Sequence, residues 1–171
     1  MPSTTPFDRS NPPRLDDAPR KGTLSEREAL ALAIPISGKR NEARLDVARG
    51  LLLLWHDHWD AAHKVAQRDE GEPDHDHLHA IAHRRESDFG NAGYWVRGAG
   101  EHASYPLIAS RIAPLLANHP LREKLLPDGE WDPLAFVKVV DKGRGGSDEA
   151  LLRAIQAEEI IAYYEWLTGA G

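Results

Sequence analysis

The sequence contains no cysteine among its 171 residues. This absence excludes disulfides, thiolate metal sites and a cysteine nucleophile. A reducing compartment is the simplest setting for such a chain, so we expect a cytoplasmic protein. No apolar run approaches the roughly 20 residues of a membrane span, and the chain does not begin with an apolar segment of the secretory type. We therefore expect no association with a membrane.

An excess of positive charge is also missing, because 21 Lys and Arg stand against 27 Asp and Glu, for a net charge of −6. This balance does not provide the broad basic surface of nucleic-acid-binding proteins, so no nucleic-acid partner is expected. Apolar and polar residues do not alternate, as they do in strands, over any convincing length. The periodicity that is present predicts an all-α, irregular, single-domain bundle of about six to eight helices.

Two parts of the chain differ in composition. Residues 1–22 are rich in Pro, Ser, Asp and Arg and have almost no apolar content, which predicts a disordered or extended tail. Residues 23–171 are predicted to form the single helical domain. Its longest periodic run, residues 41–67, predicts one buried helix. A short acidic loop with Gly71 follows, and a second helix reaches about Glu86, so the two helices should be antiparallel neighbours.

Seven of the nine histidines lie on these two predicted helices. At ~100° per residue, Asp60 and His63 share one side of the first helix, while His79, His83 and Glu86 share one side of the second. Buried imidazoles and carboxylates are costly unless they are paired or bound to a metal. We therefore expect His63, His79 and His83 to bind a divalent metal (Zn, Fe, Mn or Ni), with Asp60 or Glu86 completing the ligand shell or acting as a base.

The residues after His83 suggest a substrate side of the same pocket. Arg84 and Arg85 point about 100° apart on a helix, so they cannot share one role. One of them is expected to hold an anionic group of a substrate. Asn91 could orient the substrate and Trp95 could form an apolar wall. The alternative is that both arginines form structural ion pairs and that Trp95 is a buried aromatic anchor.

Several segments resemble an uncharacterised helical protein family of bacteria and fungi. The string HLHAIAHRRESDFGNAGYW is similar to its signature, which reads His-x-x-x-His-Arg-Arg-Glu-x-Asp followed by Asn and a Tyr-Trp pair. LLLLWHDHWDAAHKVAQ resembles the preceding helix, and WDPLAFVKVV and IQAEE resemble later segments. The resemblance extends from about Asn41 to Leu167, and Ser87 stands where the pattern has proline. It implies a helical fold with a histidine pocket and implies no particular reaction.

Two functions remain open from the sequence. The first is a metal-dependent hydrolase or lyase that acts on a small anionic substrate, with a metal-bound water as nucleophile. The second is a non-enzymatic helical binding or structural module, in which the histidines, arginines and carboxylates form a satisfied polar network.

Overall fold

The computed structural model describes residues 6–33 and 41–169 of the chain. Residues 1–5, which belong to the predicted tail, and residues 34–40 and 170–171 lie outside the described part. Within that part the protein is all-α, as predicted, and contains no strand. It forms nine α-helices there, one more than the largest number expected.

The helices follow one another with short connections. In chain order they are α1 (Glu26–Ala31), α2 (Asn41–Trp55), α3 (Trp59–Ala66), α4 (Pro73–Arg85), α5 (Phe89–Ala99), α6 (Tyr105–Ile112), α7 (Arg122–Leu125), α8 (Pro133–Gly143) and α9 (Glu149–Thr168). None of the described helices is long and apolar enough to cross a membrane.

The single helix predicted over residues 41–67 is wrong, because the chain breaks between α2 and α3. The N–H groups of Asp57 and His58 donate to the carbonyls of Leu54 and Leu53 in the last turn of α2, and Asp57 has a φ of 66°. This is a Schellman ending with aspartate at the position where glycine is usual. The Asp57 carboxylate accepts hydrogen bonds from Arg20 and Arg85, at 2.8–2.9 Å. These bonds stabilise the left-handed conformation of Asp57, so that α3 begins in a new direction.

Helix α4 is the central element of the bundle and packs against α2, α3 and α5. It begins with Pro73 at its first position, where the missing N–H costs nothing. Every residue from 75 to 85 is buried, although the segment is rich in polar side chains. Gly50 permits the close approach of α2, because a Cβ there would lie 2.5 Å from a methyl carbon of Leu78. A helix buried on all sides must find partners for its polar groups within the protein.

The remaining core lies between α2, α6 and α9, and an N-terminal arm covers part of it. This arm, residues 6–22, contains no helix. Its Phe7 ring is 5% exposed and makes edge contacts with Trp55 and Tyr164, with centroids 5.0 Å apart in each case. Leu15 is also buried. The arm therefore contributes apolar side chains to the core, which its low apolar content did not lead us to expect.

Candidate metal centre

Three histidine side chains converge between α3 and α4. His63 comes from α3, and His79 and His83 lie one turn apart on α4. The Nε2 atom of His63 lies 3.0 Å from Nε2 of His79 and 3.4 Å from Nε2 of His83. One ligand nitrogen from each residue lies within 4.8 Å of the other two. We call these residues the histidine trio; their role as metal ligands stays a prediction.

Two tryptophan rings pack against the histidine trio. Trp59 stacks on His63, with centroids 4.7 Å apart and an interplanar angle of 16°. Trp95 stacks on His79, with centroids 4.1 Å apart and an angle of 19°. The Trp59 indole is itself fixed, since its Nε1 donates to the carbonyl of Ala82 at 2.8 Å. The indoles restrict rotation of both imidazoles and so keep their nitrogens directed toward one point.

Burial favours the neutral form of His63 and His79. Burial lowers the pKa of His79 to about 3, and the neighbouring His83 and His63 lower it further. Burial is also the main reason that the pKa of His63 is lowered. Neutral imidazole is the form that binds metals, because the lone pair of a protonated nitrogen is occupied. His63 and His79 therefore provide neutral imidazole nitrogens that need not lose a proton near neutral pH.

Glu86 fixes the orientation of His83 from the far side of the ring. Its Oε1 atom makes a short contact with Nδ1 of His83. When Nδ1–H donates to this carboxylate, the lone pair of Nε2 is free to face Nε2 of His63, 3.4 Å away. A carboxylate behind a histidine ligand is a recurrent arrangement in metal sites. Glu86 also forms a second compact group with His83 and Asp88, whose ligand atoms lie within 4.8 Å of one another.

Asp60 and Asn91 lie outside the trio. The Asp60 carboxylate is exposed on the first turn of α3 and pairs with Lys64 one turn later. The prediction that Asp60 points inward assumed one continuous helix over residues 41–67. The break before α3 changes the direction in which each later side chain points. Asn91 is exposed, and its side-chain amide donates to Asp88 at the start of α5. Neither side chain touches a histidine of the trio, whereas Trp95 does.

Arg84 and Arg85 are both buried and turn away from the trio. Arg84 donates to Glu159 and Gln156 of α9, and its guanidinium lies 4.5 Å from the centroid of the Phe136 ring. Arg85 donates to the Asp57 carboxylate at 2.8 Å and to two backbone carbonyls. The two arginine side chains point in different directions, as predicted. Both arginines bind protein groups, as expected from the alternative in which they form structural ion pairs.

A second buried polar cluster lies between α4 and α9, and the residue pattern indicates it only weakly. His77 and Arg84, seven residues apart on α4, both approach Glu159, which is fully buried. The His77 ring stacks on Tyr163, with centroids 4.4 Å apart, and lies 5.1 Å from His102. The only hint was the i, i+7 spacing on α4, since Glu159 is far away in the chain.

A groove on the protein surface lies apart from the trio. It has a volume of about 470 Å³ and is lined mainly by charged side chains of α2 and of the segment after α3, with His75 at its edge. Its mixed charges, which include Glu42, Arg49 and Arg68, and its open form do not define a ligand.

Comparison with known protein families, with curated proteins and with solved structures gives no match for this chain. The resemblance to an uncharacterised helical family therefore stays a prediction. One local departure has a physical basis. Ser87 has a φ of 69°, which the proline ring forbids, so this chain cannot adopt its turn after α4 with the proline of the family pattern.

Proposed function

We propose that the protein binds one divalent metal ion, with zinc as the best match, through Nε2 of His63, His79 and His83. The observation that carries this proposal is the spacing of the nitrogens. A tetrahedral zinc ion about 2.05 Å from each ligand separates the ligand nitrogens by about 3.3 Å. The two Nε2 separations around His63 are 3.0 and 3.4 Å. A cation between the rings satisfies three lone pairs at once, which a shared proton cannot do.

The ligand set indicates a catalytic type of site. Imidazole nitrogen suits zinc, copper, iron and nickel better than calcium or magnesium. Structural zinc sites use four protein ligands, whereas three protein ligands leave one position for water or substrate. His63 and Glu86 are partly exposed, so this fourth position can face solvent. When bound, a divalent ion of this kind lowers the pKa of its water toward 7. A metal-dependent hydrolase or lyase is the class of enzyme that fits.

Glu86 has the role of a positioning residue in this proposal. Its contact with Nδ1 of His83 stabilises the tautomer that offers Nε2 to the metal. The position of Asp60, exposed and paired with Lys64, does not support a role as base or ligand. The two arginines stabilise the bundle, because each bonds buried protein groups.

The alternative is a non-enzymatic helical module, and the second polar cluster is the observation that favours it. Arg84, Glu159 and Arg85 are nearly fully buried and pair within the protein. If the trio belongs to the same kind of network, its replacement reduces stability and changes no metal affinity. A histidine that is buried and hydrogen-bonded without a ligand is common in proteins.

The test is a calorimetric zinc titration of protein prepared without a histidine tag. The proposal expects one zinc per chain, and it expects His63→Ala and His79→Ala to weaken binding at least a hundredfold. His119→Ala is the matched control, because this histidine lies outside the trio and pairs with Asp148. Thermal melts of each variant confirm that it folds. Equal zinc affinity in the wild type and in folded His63→Ala would contradict the proposal.

A further inference from the structure

The basic residues nearest to the trio in the sequence are all neutralised. Lys64 pairs with Asp60, Arg84 with Glu159, and Arg85 with Asp57. The last two pairs are buried and point toward α9 and α2. None of these cations is therefore available to a substrate at the trio, which removes the main reason for expecting an anionic one.

The carboxylates, in contrast, gather at the partly exposed edge of the trio. Glu86 and Asp88 form a compact group with His83, with ligand atoms within 4.8 Å of one another. Although burial and His83 lower the pKa of His63, the charges of Glu86, Asp60 and Glu70 act on it in the opposite direction, so these groups lie within electrostatic range. Two cations lie close to these four carboxylates: Lys64, which pairs with Asp60, and Arg144, which donates to Ser87 between Glu86 and Asp88. The carboxylates therefore outnumber the protein's own cations at this edge before a metal ion binds.

Aromatic surface accompanies this negative charge. Trp59 and Trp95, which stack on His63 and His79, are each only partly buried. Tyr94 makes an edge contact with Trp95, with centroids 5.0 Å apart, and is 62% exposed. It is the most exposed large hydrophobic side chain in the described part of the protein. Aromatic faces are a recurrent means by which proteins bind organic ammonium groups. Trp95 stacks on His79 and the carboxylates gather at His83, and the centroids of these two imidazoles are 4.7 Å apart.

We infer that the small molecule bound at this edge carries an alkylammonium group, which packs against Trp95 and Tyr94 and is attracted by Glu86 and Asp88. This inference rests on the proposed metal site, since the rest of the molecule would reach the fourth metal position. It replaces the anionic substrate expected from the sequence, because the arginines on which that expectation depended are buried in ion pairs.

Three probes of nearly identical shape test this inference: choline, which is cationic, 3,3-dimethyl-1-butanol, which is neutral, and 3,3-dimethylbutyrate, which is anionic. Each is titrated by ligand-observed NMR into tag-free protein, with zinc and after chelation. We expect choline to bind at least tenfold more tightly than the neutral probe and the anion to bind most weakly. Equal or tighter binding of the anion overturns the inference.

Two variants at one position locate the probe. Tyr94→Ala should weaken choline binding two- to fivefold, the size of an exposed cation–π contact, and Tyr94→Phe should not. Neither should change zinc affinity. Unchanged choline affinity in Tyr94→Ala also overturns the inference. If zinc binds but choline is not preferred, the inference is refuted and the proposed metal site is not. If choline is preferred but zinc does not bind, only the proposed metal site is refuted.

Discussion

The histidine in the second polar cluster provides a quantitative prediction about stability and pH. His77 is 1% exposed, and its Nε2 atom lies 3.7 Å from a carboxylate oxygen of Glu159. Burial lowers the pKa of His77 to about 4, although the interaction with Glu159 raises it and His102 lowers it slightly. In the unfolded chain the same imidazole titrates near 6.5. The native protein therefore excludes a proton that the unfolded chain accepts.

The sign and size of the effect follow from this difference. The native pKa is below the unfolded one, so between pH 6.5 and 4 the unfolded state binds more protons and the free energy of unfolding falls as pH falls. Above pH 6.5 neither state is protonated and His77 causes no pH dependence. A difference of about 2.5 pKa units corresponds to roughly 3 kcal/mol, which is gradually lost as the pH falls to 4.

Urea unfolding of the wild type and His77→Phe between pH 4 and 7.5 measures this effect. Phenylalanine retains the ring that stacks on Tyr163 and leaves Arg84 to pair with Glu159. We expect the wild type to lose roughly 3 kcal/mol more than the variant between pH 7 and pH 4. His119→Phe is the matched control, because that side chain is partly exposed and lies outside the buried cluster of His77 and Glu159. Parallel curves for the wild type and His77→Phe would refute the reasoning.

Three further substitutions probe packing and the metal centre. Gly50→Ala should destabilise the fold by about 1–3 kcal/mol in urea unfolding, because the added Cβ would lie 2.5 Å from a methyl carbon of Leu78. An unchanged urea midpoint would contradict the close packing of α2 on α4. Phe7→Ala should cost about 3–5 kcal/mol and lower Tm, and a loss below about 1 kcal/mol would mean that the arm does not belong to the core. Glu86→Gln should weaken zinc binding about 10- to 100-fold in calorimetry through loss of the carboxylate behind His83, and unchanged affinity would remove its positioning role.

The helical class and the α4 face were predictable because they depend on local periodicity. His79 and His83 are one turn apart in an uninterrupted helix, so their common side follows from helical geometry alone. The short connection between α3 and α4 then brings His63 to the same side. Local spacing was sufficient to predict which side chains share one side wherever a helix continued without a break.

The features that were missed depend on contacts between distant parts of the chain. The break before α3 requires Asp57 at positive φ, held by Arg20 and Arg85, and no local pattern of residues indicates these bonds. The partner of Arg84 is Glu159, 75 residues away, so its burial could not be inferred from the charge pattern around it. The low apolar content of the N-terminal arm gave no sign that Phe7 enters the core.

X-ray absorption at the zinc edge of the zinc-loaded, tag-free protein tests the central claim most directly. The account predicts three imidazole nitrogens at about 2.0–2.1 Å and one oxygen ligand, with the imidazole signal reduced in His79→Ala. A zinc ion surrounded by carboxylate and water oxygens alone, or an imidazole signal that is unchanged in His79→Ala, would contradict the assignment of His63, His79 and His83 as ligands.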